Sequence, residues 1–97
     1  MSTDKIVDSE WHSSDCLLTT TLQGVVNASD ICKWEASLYR VAQIIPPNST
    51  IKMLANLHYF EAEDLTVHRQ FRNVLPHFLA AYGYAIGYLQ MFPEAII

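Results

Sequence analysis

The sequence predicts one small α/β domain in which a mixed β-sheet carries helices on one face. Three segments have the alternating or apolar character of strands, Cys16–Val26, Thr50–Tyr59 and Ala85–Phe92, and helical patterns lie between them. Strands joined through helices favour right-handed crossovers and a parallel portion of sheet. A chain of 97 residues fits a single domain. We therefore expect the order strand, strand, helix, strand, helix, strand over residues 1–97, with the other face of the sheet wet or covered by a partner.

The first two strands are expected to form a hairpin. Residues 1–15 are mostly polar, and a weak alternation over Lys5–Trp11 predicts an edge strand. Cys16–Val26 contains the three consecutive threonines Thr19–Thr21, whose branched side chains suit a pleated strand. Ser13–Asp15 supplies the turn signal between them.

The first helix has the clearest signals in the chain. Asn27 or Ser29 can accept a hydrogen bond from a free backbone amide, and Asp30 suits the positive end of the helix dipole. The pair Pro46-Pro47 should end the helix. Apolar residues at helical spacing form one stripe: Ile31, Trp34, Leu38, Val41, Ala42 and Ile45.

The second half of the chain predicts one strand, a helical region and a final strand. Thr50–Tyr59 has apolar residues on both faces, which is typical of a central strand. The second helix should begin at Glu61–Asp64, with Gly83 as its cap. Pro76 predicts either one bent helix or two, with the proline at the first position of the second. The expected inner side of this region is Leu65, His68, Phe71, Arg72, Leu75, Phe78, Leu79 and Tyr82.

Composition favours a protein partner over a nucleic acid. The chain is 51% hydrophobic and 16% charged, whereas soluble domains average about 45–50% and about 25%. The apolar surplus predicts either a core that is large for this length or an apolar surface that a second copy or another protein covers. The net charge is −4, and the six basic residues are scattered rather than clustered, which argues against nucleic-acid binding.

The predicted compartment is the cytoplasm. The residues after Met1 are polar rather than the apolar run of a secretory signal, and no stretch approaches the length of a membrane span. Cys16 and Cys32 match no metal or redox spacing, so we expect reduced, buried thiols and no cofactor.

The rival hypothesis is a small metal- or ligand-dependent enzyme, or a protein that binds an apolar ligand, using His58, Glu61 and His68. A zinc or iron site needs three or four such groups to converge, and no His-Glu-x-x-His pattern or closely spaced cysteine pair occurs. We therefore expect these three side chains to be surface or hydrogen-bonding residues. We also expect the protein to be non-catalytic.

Aromatic residues are concentrated in the second half of the chain. Most should belong to the core, but tyrosine and phenylalanine are also enriched at the centres of protein interfaces. They predict a protein-binding patch among Tyr59, Phe60, Phe71, Phe78, Tyr82, Tyr84, Tyr88 and Phe92.

The segments Leu22–Asp30 and Ile51–Leu57, followed by a helix opening near Asp64, resemble the STAS-like family. This family includes anti-sigma-factor antagonists and the cytoplasmic domains of sulphate transporters. The resemblance is topological and covers roughly residues 5–92. It implies a regulatory protein-interaction domain whose contact surface is the turn Phe60–Asp64 and the start of the following helix. The implied binding residues are Phe60, Glu63, Asp64, His68 and Arg72.

The sequence departs from the family in its phosphorylation switch. The family places a serine at the turn before the second helix, whereas here no serine or threonine follows Tyr59 until Thr66. Glu61, Glu63 and Asp64 would repel a phosphate at this turn. The family's fold also continues with a further helix and often a further strand, so we expect either that a partner covers the corresponding edge of the sheet or that the fold is a shortened variant.

Overall fold

The computed structural model describes residues 5–46 and 49–92 and shows five strands and two α-helices. A short 3-10 turn, Gly83–Ala85, leads into the last strand. In chain order the elements are β1 (Ile6–His12), β2 (Leu17–Val26), α1 (Ala28–Ala42), β3 (Ile51–Asn56), β4 (Phe60–Ala62), α2 (Leu65–Tyr82) and β5 (Ile86–Phe92).

The strands form a mixed sheet in the order β1-β2-β3-β5. β1 pairs antiparallel with β2, the β2–β3 and β3–β5 pairs are parallel, and β4 runs parallel to the end of β2. Both helices pack on one face of the sheet around one core. The predicted fold class is confirmed, although residues 1–4, 47–48 and 93–97 of the predicted domain lie outside the described residues. In the described part of the chain, neither helix combines the length and apolar character that crossing a membrane requires.

The predicted hairpin is confirmed, and its register fixes which residues face the core. Ser9 lies opposite Thr20, so both point to the helix side of the sheet. The loop closes through the Asp15 N–H, which donates to the His12 carbonyl at 3.2 Å. Cys16 has a φ of 49°, the left-handed conformation that brings the chain back into β2.

A closed ring of hydrogen bonds links β1, β2 and α1 inside the core. Trp34 Nε1 donates to Thr20 Oγ1 at 2.6 Å, and Ser9 Oγ lies 2.8 Å from Thr20 Oγ1 and 2.7 Å from Ser37 Oγ. Ser37 Oγ donates to the Trp34 carbonyl at 2.7 Å. These contacts form a ring that runs from the Trp34 indole through Thr20, Ser9 and Ser37 to the Trp34 backbone. Thr20 Oγ1 also lies 3.2 Å from the Asp8 carbonyl.

A capping box fixes the start of α1 and ties it to the residue before β1. The Asn27 side chain accepts from the Asp30 N–H at 2.9 Å, and Asp30 Oδ2 accepts from the Asn27 N–H at 3.0 Å. Lys5 Nζ reaches the same carboxylate oxygen at 2.9 Å. The hydrogen bond from the backbone N–H of Asn27 holds the pKa of Asp30 below its ordinary value of 3.8. Its effect is larger than the opposing effect of burial, and Lys5 also lowers the pKa.

α1 ends at Ala42. The apolar stripe, which extends to Ile45, predicts a later end. The ring of Pro46 would clash with the carbonyl of Ala42, four residues earlier, and a residue before proline disfavours helical backbone. Ile45 still packs against the core from the connecting turn. The second proline of the predicted stop lies outside the described residues.

The strand predicted over Thr50–Tyr59 is present as β3, but it ends at Asn56, so the predicted C-terminal end of the strand is wrong. The Asn56 side chain accepts from the His58 N–H at 3.1 Å, which turns the chain out of the sheet. Tyr59 has a φ of 61°, in the left-handed region, and its carbonyl accepts from the Gly24 N–H at 3.0 Å. The chain then rejoins the sheet as β4 beside β2, so α2 begins at Leu65, at the C-terminal end of the predicted start Glu61–Asp64, with Asp64 as its cap.

α2 is one continuous helix that passes through Pro76. Its buried residues are Val67, Val74, Leu75 and Phe78. The predicted inner side is therefore wrong for Leu65, which is 65% exposed, and for His68 and Arg72, which are also exposed. Gly83 caps the helix as predicted, but with right-handed backbone that continues into the 3-10 turn.

Replacing Thr20 with valine should lower the free energy of unfolding by about 1–3 kcal/mol, because it leaves the buried indole N–H of Trp34 without an acceptor. Urea denaturation of the wild type and Thr20→Val measures this loss. Thr21→Val is the matched control, since Thr21 is the next residue on the same strand and points to the other face. Equal losses in both variants would contradict a structural role for the ring.

Asp30 should make the protein less stable in acid. Because its folded-state pKa is lowered, its carboxylate stabilises the fold fully above the ordinary value of 3.8, and this contribution is lost as the pH falls below that value. Thermal unfolding of wild type and Asp30→Asn between neutral pH and about pH 2 should show a smaller acid-induced loss in the variant. Parallel pH profiles would contradict the assignment.

Candidate functional site

An apolar groove lies between α2 and β5 on the described surface. Its volume is about 530 Å³. We call it the α2–β5 groove, and its lining is Arg69, Phe71, Arg72, Asn73, Leu75, Pro76 and Leu79 of α2 with Leu89 and Met91 of β5.

The groove exists because α2 does not cover the inner face of β5. The register pairs Leu89 with Met53 and Met91 with Ala55, so all four side chains point to the helix side of the sheet. Met53 and Ala55 are fully buried, whereas Leu89 is 37% exposed. α2 instead packs against α1 and β4. Apolar surface that would normally belong to the core is thus open at this edge.

Two arginines form one rim of the α2–β5 groove. Arg69 and Arg72 are both exposed and lie on successive turns of α2. Within residues 5–46 and 49–92, neither guanidinium forms an ion pair. The groove therefore combines an apolar floor with a positive rim whose charges are available to a partner.

A stack of three aromatic rings positions the N-terminal half of α2. The Phe60 and Phe71 rings lie 4.3 Å apart, and the Phe71 and Trp34 rings are stacked at 5.5 Å with an interplanar angle of 21°. Phe60 is half-buried by this contact. It is therefore an anchor of the fold that still exposes part of its ring at the predicted contact surface.

The structure brings some of the predicted binding residues together. His68 is exposed beside Phe71, with ring centroids 6.1 Å apart, so it lies next to the ring that stacks on Phe60. Arg72 lies one turn further along α2, at the groove. Glu63 has an exposed side chain, while its backbone N–H donates to the carbonyl of β2's last residue at 2.9 Å.

Asp64 has a structural role at the same surface. Its Oδ1 accepts from the Val67 N–H at 2.9 Å and caps α2. Because the carboxylate of Asp64 already accepts this hydrogen bond, it can interact less strongly with a partner than the exposed carboxylate of Glu63. The cap itself fixes where the predicted contact surface ends and the helix begins.

Tyr59 is an exposed aromatic residue at this surface that the sequence prediction placed within a strand. Its side chain is 81% exposed, and the nearby Val25 of β2 is 49% exposed. Both border a shallow depression that also includes Gly24 and Phe60. The aromatic pattern includes Tyr59 in the predicted protein-binding patch, but the turn that exposes it was missed. The signal for that turn is Asn56, whose side chain often turns the backbone two residues later.

The sequence prediction also missed the α2–β5 groove, although the spacing of apolar residues along α2 indicates the helix side of it. Leu75 and Leu79 are one turn apart and are flanked by Arg72 and Pro76, so they form a row separate from the fully buried Phe78. The β5 side of the groove could not be predicted, because the alternating pattern of β5 is the same whether or not a helix covers its inner face.

The rival metal site is not assembled by the described residues. Across residues 5–46 and 49–92, no three histidine, cysteine, aspartate or glutamate side chains are placed to hold a metal ion. His58 lies at the strand interruption beside Tyr59, Glu61 is exposed on β4, and His68 is on α2.

The cysteines correct one prediction. Cys16 and Cys32 are both free, but they are exposed rather than buried. Cys16 lies in the hairpin loop, where its left-handed backbone directs it outward, and Cys32 is on the solvent side of α1.

Tyr39 is a buried polar group between the helices. Its ring meets those of Phe78 at 5.5 Å and Tyr82 at 5.7 Å, in edge-on geometry. Its hydroxyl has no hydrogen-bond partner among the described residues. Burial raises the pKa of Tyr39, so the hydroxyl stays protonated.

The face of the sheet away from the helices is mainly polar. Between β1, β2 and β3 it forms a shallow depression that two acidic residues, two threonines and two amide side chains dominate. The lining comprises Ile6, Asp8, Ser9, Glu10, Thr19, Thr21, Gln23 and Asn56. A face of this composition can be hydrated and offers a partner less apolar surface than the α2–β5 groove.

Comparisons of this chain with protein-family models, curated proteins and solved structures gave no match.

Proposed function

We propose that this chain is a protein-interaction domain with a regulatory rather than a catalytic role, and that it self-associates as a homodimer. The observation that carries this proposal is the α2–β5 groove, an apolar surface of one continuous core that α2 leaves open. Exposed apolar surface beside a charged rim is typical of a site that another protein covers.

The predicted contact surface supports a second interaction, with a regulated partner protein. Phe60, Glu63, Asp64 and His68 lie where β4 gives way to α2, and the exposed ring of Tyr59 adjoins them. An aromatic anchor surrounded by charged side chains suits recognition of a protein, with the charges supplying specificity more than affinity. In this proposal Arg72 joins the two surfaces, since it belongs to the predicted set and also lines the groove.

The same proposal includes the STAS-like relationship and a cytoplasmic location. A hairpin followed by parallel strands, with both helices on one face, supports the resemblance. The cap of α2 is Asp64 rather than a serine, and the first hydroxyl of the helix is that of the exposed Thr66. Regulation by phosphorylation at this turn is therefore no part of the proposal.

Self-association predicts that the mass measured by light scattering rises from monomer to dimer over about a hundredfold range of concentration. Leu79→Asp should weaken this association by about tenfold or more, because it places a carboxylate in the apolar contact. Leu65→Asp is the matched control, since Leu65 is on the same helix, is 65% exposed and lies outside the groove.

Circular dichroism of both variants confirms that each is folded before the masses are compared. A wild-type monomer at every concentration would contradict self-association. A dimer that both variants weaken equally would contradict the groove as its contact surface.

A further inference from the structure

The two outer strands of the sheet differ in chemistry. β1 carries Asp8, Glu10 and His12, and Lys5 lies just before it. β5, Ile86–Phe92, contains no charged residue and no proline. Natural sheets commonly protect a free edge with charges, prolines or bulges. β5 has neither a charge nor a proline, and its register irregularity is confined to its start, beside Ile51 and Lys52, so Tyr88–Phe92 is suited to pairing with another strand.

β5 offers a free edge as well as exposed apolar side chains. It pairs with β3 on one side, and among residues 5–46 and 49–92 no strand pairs with its other side. Tyr88 is 53% exposed and Leu89 is 37% exposed. Unpaired backbone N–H and C=O groups on such an edge are satisfied by adding a strand.

We propose that the second copy in the homodimer binds through this edge, with the two β5 strands antiparallel about a two-fold axis at Leu89. This inference rests on the proposed self-association and names its contact. The two sheets then form one continuous sheet across the axis, and the same surface of each copy makes the contact, as two-fold symmetry requires.

The alternation of β5 determines the position of the axis. An axis between two residues would place an inward-facing side chain opposite an outward-facing one, which the pleat does not allow. An axis on Leu89 buries the exposed side chain of Leu89 against its own copy at the groove, and the register irregularity beside Ile51 and Lys52 lies away from the axis. An axis on Tyr88 or Gln90 would place side chains of the polar face at the centre instead.

The side chains are compatible with this register. Tyr88 of one copy lies opposite Gln90 of the other, on the polar face of the sheet. Within one chain the Tyr88 hydroxyl donates to Gln90 Oε1 at 2.9 Å, so these two groups can exchange partners across the axis. On the helix face, Leu89 meets its own copy.

The same arrangement covers the α2–β5 groove. A two-fold axis perpendicular to the sheet keeps the helices of both copies on one face, so the two grooves open toward each other. α2 runs antiparallel to β5, as a parallel crossover requires, so the arginine end of each groove faces the C-terminal end of the partner's α2. The last turn of α2 has no basic residue of its own. Arg69 and Arg72 of one copy therefore complement the negative helix end of the other.

Cysteine cross-linking tests the axis directly. In a background with Cys16→Ser and Cys32→Ser, which removes both exposed thiols, Leu89→Cys should form a disulfide-linked dimer on mild oxidation. A residue on the axis faces its own copy at a Cα separation of about 4.5–5.5 Å, within the range of a disulfide. Glu10→Cys, on the charged edge β1, is the matched control and should stay unlinked.

A nitroxide on each of the two cysteine variants gives a second readout that needs no disulfide geometry. The distance between the labels of the two copies should be shorter at position 89 than at position 10. If light scattering shows a dimer but position 89 neither cross-links nor gives the shorter distance, the β5 contact is wrong while the proposed self-association stands. If every variant and the wild type are monomeric, both proposals fail.

Discussion

Trp34 is the residue on which the arrangement of the hairpin and the two helices depends. Its indole N–H and its backbone carbonyl are the two ends of the hydrogen-bonded ring through Thr20, Ser9 and Ser37. The ring fixes both the rotation of α1 about its axis and its position over the hairpin, since each strand contributes one hydroxyl. Leaving any of these buried polar groups without a hydrogen bond would cost free energy. The hydrogen-bonded ring therefore favours the observed position of α1 over other positions that would bury a similar apolar area.

The ring of Trp34 also positions α2, because Phe71 of α2 packs against it. Phe71 stacks on the indole and Phe60 stacks on Phe71, which holds the start of α2 over β4 and the end of β2. A helix held there cannot also cover β5, at the far side of the sheet. The α2–β5 groove is thus a consequence of where the aromatic stack places α2, and the open edge is part of the same geometry.

The elements that the sequence predicted well are those with local signals. The hairpin follows from a turn signal between two alternating segments, and α1 follows from an apolar stripe with Asn27 and Asp30 at its start. The interruption of the central strand was missed because the alternation continues through Leu57–Tyr59, while an Asn56 side-chain bond and a left-handed Tyr59 turn the backbone.

The candidate site was predicted less well, for a physical reason. Phe60, His68 and Arg72 were placed on one surface by family resemblance, and the structure sets the first two beside Phe71 and the third at the groove. Leu89 and Met91 have the same alternating pattern whether or not a helix covers them. Their exposure depends on the tertiary position of α2, which no local pattern specifies.

The central claim is that the uncharged edge of the sheet, rather than its charged edge or its polar face, is where this protein binds a second copy. Hydrogen–deuterium exchange at low and high protein concentration tests it most directly, because a free edge exchanges its amides and a paired edge protects them. The account predicts that amides of β5 become protected at high concentration while those of β1 are unchanged. Concentration-independent exchange in β5, or protection that appears in β1 instead, would contradict it.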